Sequence, residues 1–198
     1  MQSPSRRTPS TEVESTVLSA AIDLTNRHGA DAVTVRSLAA TAGVSPMSIY
    51  NHFGDMTGVF DAVFVAGFER LIEYLDEDGG RLEPFATIRH RGHRYRAFAL
   101  ENPALYAVMF LRAVPGFEPS DDAHLHAAVA FGRLEDPVRR LADAGHVDRA
   151  SVALVAQELW SAIHGAIALE LGGMCKFADA GATFDGLVDL LLSGLGEA

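Results

Sequence analysis

Cysteine is almost absent from this 198-residue chain, where Cys175 stands alone. One cysteine excludes an intramolecular disulfide framework and is consistent with a reducing cytoplasm. Its plain reading is a small buried hydrophobe at a helix end; its sharper one is a redox sensor. No apolar run is expected to span a bilayer, and the N-terminus lacks the apolar core of a secretory signal, so a cytoplasmic location without a membrane partner is expected. No stretch alternates apolar and polar residues with the period of a strand, and no repeat of fixed period is present. Catalytic signatures are missing as well: there is no G-x-S-x-G, H-E-x-x-H, P-loop or G-x-G-x-x-G. An enzyme reading would rest on unlinked His and Asp residues, so no catalytic residue and no cofactor are expected. His90 and His93 have a spacing that suits a metal but no third ligand can be identified, and His124 and His126 offer no more.

Basic residues are scarce too. There are 16 Lys and Arg against 26 Asp and Glu, for a net charge of −10, which argues against a general nucleic-acid coat. The distribution says more. Residues 1–53 carry four arginines and four acids, so the whole acidic excess lies in residues 54–198. An acidic body would repel DNA and turn the neutral end towards it. Apolar residues make up 48% of the chain, enough for a sizeable core and one or two domains.

What is present reads as helix throughout, so the expected fold class is all-α. Residues 1–9 form an arm in which Arg6 and Arg7 either reach DNA or stay idle in solvent. Thr11 and Glu14 have capping-box spacing and are expected to open a first helix, which Gly29 stops. The stretch TVRSLAATAGVSPMSIYNHFGD, Thr34 to Asp55, then organises the chain. Thr34 caps a helix that buries Val35, Leu38, Ala39 and Ala42. Gly43 ends it, Ser45 caps a second helix, and Pro46 takes the first position of that helix, where its missing N–H costs nothing. Helix, three-residue turn and helix is the layout that sets a recognition helix in the major groove.

At Gly43-Val44-Ser45 and Ile49-Tyr50-x-His52-Phe53 the sequence resembles the TetR family of bacterial transcriptional repressors, over roughly residues 10–65. Ser45, Pro46, Met47, Ser48, Asn51 and His52 are expected to be exposed, with Val44, Ile49 and Phe53 facing inward. Met47 and Ser48 are placed to meet base edges or thymine methyls. The resemblance implies phosphate contacts for Tyr50 and His52, while Thr34 and Arg36, at the start of the preceding helix, fit phosphate and groove-edge contacts. One departure stands out: the family's lysine at the start of the fourth helix is here Met56.

Asp55 is expected to cap a fourth helix to about Glu77, broken by Asp78-Gly79-Gly80, that connects a DNA-reading domain (1–55) to a ligand-binding and dimerisation domain (56–198). Further helices are expected from Pro84 to about Leu100, from Pro103, from about Asp121 with a kink or restart at Pro137, from Asp148 to about Gly172, and from Thr183 to Leu195. Ser161, Gly165, Ala168 and Gly172 recur at spacings of four, three and four, a small-residue stripe that admits another helix closely. With Leu187 and Leu191 of the last helix it suggests a four-helix interface across a two-fold axis, as the TetR resemblance also implies; completion of the monomer's own core is the alternative. Trp160-x-x-x-His164-Gly165 resembles the Trp–His–Gly pattern of one subgroup's C-terminal domain. Phe85, Phe98, Tyr106, Met109, Phe110, Trp160 and His164 are candidates to line a cavity for a small-molecule effector, with ordinary core packing the competing reading for each. Residues 89–96 pack four arginines and two histidines, which gives either an anion site or a solvated face paired with acids. The expected function is a ligand-responsive repressor acting as a homodimer on palindromic double-stranded DNA. The alternative is a helical dimerisation module without sequence-specific DNA binding.

Overall fold

The computed structural model describes residues 10–77 and 82–196. The arm at 1–9 and the Asp78-Gly79-Gly80 break lie outside those residues. Among the described residues nine α-helices follow one another: α1 Ser10–His28, α2 Val35–Ala42, α3 Pro46–Phe53, α4 Met56–Asp76, α5 Pro84–Glu101, α6 Pro103–Phe110, α7 Asp121–Asp143, α8 Val152–Leu171 and α9 Ala180–Gly194, with short 3-10 turns at Ala30–Ala32 and Arg149–Ser151. No strand occurs among the described residues.

Two units divide the chain, and neither is a single stretch. The first lies within Met1–Gly67 and Asn102–His124, the second within Phe68–Glu101 and Leu125–Ala198. The first unit is built on Val17, Leu38, Ile49, Val59, Val63, Leu105 and Tyr106, each wholly buried. α1 packs on α2, α3 and α6. Gly67 lets α4 and α6 approach, since a Cβ there would stand 2.6 Å from the Met109 sulfur. In the second unit α5 packs on α8 and α9, with Gly92 facing Ile163 and Val188.

Several sequence expectations need correction. α1 already runs from Ser10, so Thr11 and Glu14 are interior to it, and Glu14 bonds His52 instead of capping. α9 begins before Thr183 because the Asp179 carboxylate accepts from Ala182 N–H at 2.8 Å and caps it there. Cys175 is exposed, not buried. The stretch Arg149–Leu171 does reach bilayer-spanning length and apolarity, and only 22% of its most apolar window is buried. Of the two readings at Pro137, a kink or a restart, the restart does not occur: α7 continues to Asp143.

The arginine-rich run of α5 forms partnered contacts, not an open anion site. Arg89 pairs with Asp189, Arg94 with Glu77 at 2.5 Å, and Arg96 with Glu170 through two bonds of 2.7 and 2.5 Å. His93 lies 3.7 Å from Asp185 and packs edge-on against Phe184. Arg91 is buried, where its guanidinium donates to two backbone carbonyls, Leu75 and Arg133.

Candidate nucleic-acid interface

Local chemistry sets the geometry of α2 and α3. The Thr34 hydroxyl accepts from Ser37 N–H at 3.1 Å, and the Ser37 hydroxyl accepts from Thr34 N–H at 2.9 Å, a reciprocal capping box that fixes the start of α2. Gly43 adopts φ 66° and closes the helix through its N–H on the Ala39 carbonyl, with Val44 N–H bonding the same oxygen. That left-handed residue costs a glycine little and turns the chain at once. Ser45 accepts from Ser48 N–H at 3.2 Å, and Pro46 opens α3. Gly54, at φ 76°, ends α3 on the Tyr50 carbonyl, and Asp55 then caps α4 by accepting from Gly58 N–H at 3.0 Å.

This sequence of caps presents one face of α3 outward. Ile49 is fully buried, Met47 is 65% and Tyr50 46% exposed, and Pro46 and Asn51 are exposed as well. Ser48 and His52 are half-buried. His52 is held by Glu14 of α1, Nδ1 to Oε1 at 3.1 Å, which ties the last turn of the exposed helix to the helix crossing behind it. Arg36 is exposed in the first turn of α2, and Met56 is the first residue of α4.

The residues expected to line an effector cavity fall in both units. Tyr106 is fully buried in the first unit, with Met109 close to Gly67 and Phe110 against Tyr106 at 5.0 Å between rings. Phe85, Phe98, Trp160 and His164 belong to the second. There Phe98 packs edge-on against Tyr74, and Phe85 against His146. Tyr95 O–H bonds His164 Nδ1 at 2.9 Å, and Trp160 Nε1–H donates to the Tyr95 oxygen at 3.4 Å, so a hydrogen-bonded polar group joins α5 to the apolar α8. Burial pushes the His164 imidazolium below its ordinary pKa of 6.5. A separate groove of about 660 Å³ lies among Asp76, Arg91, Val129, Arg133, Asp136 and Arg139.

On α8 and α9 the small-residue stripe lies on the open side. Ser161, Gly165 and Gly172 are exposed, and Ala168, Leu187 and Leu191 are half-buried. Sequence reasoning missed three exposed leucines of these two helices: Leu154 at 59%, Leu169 at 53% and Leu190 at 71% exposure. The signal was available, since Leu154 extends the Ser161–Gly165 stripe by two turns and Leu190 lies one turn beyond Leu187.

The N-terminal model of the tetR family of bacterial regulatory proteins matches residues 17–63, and the tetracyclin repressor-like C-terminal domain matches residues 88–191. The chain belongs to the TetR family of transcriptional regulators. Its relatives include the HTH-type transcriptional regulator Rv0681 of Mycobacterium tuberculosis, 28% identical over 180 residues that cover 90% of this chain and 79% of the relative. Among solved structures, a protein of unknown function from Rhodococcus sp. RHA1 superposes with TM-score 0.83 at 23% identity, covering 99% and 100% of the two chains. A TetR variant of Acinetobacter baumannii in complex with minocycline superposes with TM-score 0.65 at 21% identity, covering 91% and 94%. The TetR N-terminal match contains α2, α3 and the start of α4, and the C-terminal match contains Trp160, His164 and the stripe from Ser161 to Gly172.

Proposed function

We propose that this TetR-family protein is a ligand-responsive transcriptional repressor that acts as a homodimer on a palindromic operator. The observation that carries the DNA-reading half is the outward face of α3, capped at both ends and exposing Met47, Tyr50 and Asn51 around a buried Ile49. Thr34 and Arg36 at the start of α2 and Tyr50 on α3 are assigned to the flanking backbone. In functional terms residues 1–55 read DNA, and residues 56–198 bind the effector and dimerise.

Dimerisation draws its support from α8 and α9, which leave Leu154, Leu169 and Leu190 in solvent, and likewise Ser161 and the glycines Gly165 and Gly172. Nothing lies within 4 Å of the position a Cβ would take at Gly165, so another helix has room to approach there. An exposed apolar surface of this kind marks a partner-binding face, and it accounts for the bilayer-like hydropathy of α8 without a membrane. Two copies reading two half-sites gain avidity that one copy lacks. The effector site is assigned to the second unit, near the Tyr95–His164–Trp160 group, and a fold neighbour that carries minocycline supports a small-molecule role. To act as a switch, the effector must favour one of two conformations, typically by 1–3 kcal/mol of coupling.

Genomic DNA enriched on the purified protein and then sequenced tests this reading. A few discrete palindromic fragments, bound by a dimer in sedimentation, are the expected result. Uniform or absent retention by an intact dimer would favour the dimerisation module without DNA binding.

A further inference from the structure

The chemistry of the exposed face of α3 narrows what it can read. Met47 and Asn51 stand one turn apart on that face, opposite the buried Ile49. Of the other polar groups here, the Ser45 hydroxyl caps α3, His52 is bonded to Glu14, Ser48 is half-buried, and Tyr50 is assigned above to the backbone. The helix, PMSIYNHF, contains no arginine, lysine, aspartate or glutamate. In the major groove, guanine presents two acceptors and is most often read by bidentate Arg or Lys, whereas the cytosine amino group suits Asp or Glu. Adenine presents an acceptor beside a donor, which matches a carboxamide, and thymine presents a methyl, which matches an apolar side chain.

We infer that α3 reads an A·T core in each half-site, with the Asn51 carboxamide bonded to N6 and N7 of an adenine and the Met47 thioether packed on a thymine methyl. Arg36, on α2, is the one guanidinium between Thr34 and Phe53, so guanine is read at a flanking position if anywhere. Four helical residues advance about 6 Å and one base step rises about 3.4 Å along the duplex axis, which keeps the adenine and the thymine within about two base pairs of each other. This inference rests on the DNA-binding reading above and adds the base composition that reading leaves open.

The test is selection of bound sequences from a random duplex pool with the full chain, followed by anisotropy titration of the selected duplex. The expected half-site has an invariant core of A·T pairs, with G·C confined to its flanks. Replacing the core thymine by deoxyuridine removes only the methyl; it should weaken the wild type about fourfold and leave Met47→Ala unaffected. Asn51→Ala should bind the adenine duplex at least about fivefold more weakly and no longer distinguish adenine from 7-deazaadenine. Both side chains are exposed, so circular dichroism should show the fold unchanged. A G·C pair in the invariant core, or equal wild-type affinity for the thymine and uracil duplexes, overturns the inference and leaves DNA binding standing. Failure to enrich any sequence overturns the DNA-binding reading itself, and the inference falls with it.

Discussion

Arg91 donates its Nη1–H to the carbonyl of Arg133 at 2.5 Å, and that carbonyl is the one Pro137 leaves without a helical donor. A proline inside a helix lacks the N–H that would bond the residue four positions earlier. Here a buried guanidinium from α5 replaces it, while its Nε–H donates to Leu75 near the end of α4 at 3.2 Å. The substitution of one donor for another explains why α7 runs through Pro137.

That relationship predicts a coupling. Arg91→Met should cost about 1–3 kcal/mol by orphaning buried acceptors. Pro137→Ala restores the backbone N–H to the Arg133 carbonyl, so Arg91→Met should cost less in that background. Urea unfolding of the four members of the cycle measures the difference, and strict additivity would show that the carbonyl is not shared.

Gly58 should tolerate no side chain. A Cβ there would stand 2.0 Å from the Phe53 carbonyl oxygen, at the corner between α3 and α4. Gly58→Ala is expected to destabilise the protein by about 1–3 kcal/mol, as overpacking does. The urea midpoint reports it.

Gly165→Trp should separate folding from assembly. The position is open in a single chain, so the variant is expected to fold, as circular dichroism would show, yet to sediment as a monomer that has lost palindrome binding. An intact DNA-binding dimer would remove Gly165 from the interface.

Met56→Lys adds a cation at the first residue of α4. One new phosphate contact per subunit should steepen log K against log[salt] by roughly 1.8 for a dimer, at about 0.9 per contact, and raise affinity for specific and random duplexes alike. An unchanged slope in a salt series would mean that this helix start does not face the backbone.

The His164 prediction concerns pH. Burial holds its imidazole neutral below the ordinary value of 6.5. The unfolded chain then takes up a proton that the folded chain resists, so the stability from this group is present above 6.5 and is lost as pH falls through the lowered folded-state value. Between about pH 7.5 and pH 5.5 the urea midpoint should drop further for the wild type than for His164→Gln.

The caps of α2 and α3 were legible in the sequence because each is made by neighbours: Thr34 with Ser37, Ser45 with Ser48, and Gly43 with Ala39. Partners distant in sequence were not. Glu14 has the spacing of a cap yet bonds His52, and the arginines of α5 find carboxylates on α4, α8 and α9 and in the residue that follows α4, which no local pattern names. Leu154 and Leu190 escape notice because a leucine in an apolar helix fits the core or an open face equally well until the packing is known.

The first unit needs α6 as well as the helices before Gly67: α1 packs on α6, and Leu105 and Tyr106 are fully buried. Synthesis runs from the N-terminus, and the segment that completes this unit reaches to His124. The helices before Gly67 therefore leave the ribosome well before the residues that close their core. In the interval the chain carries Val17, Val59 and Val63, wholly buried in the finished unit, before α6 is made. A fragment truncated after Gly67 would lack α6 permanently, so this unit is a late product of an early gene segment.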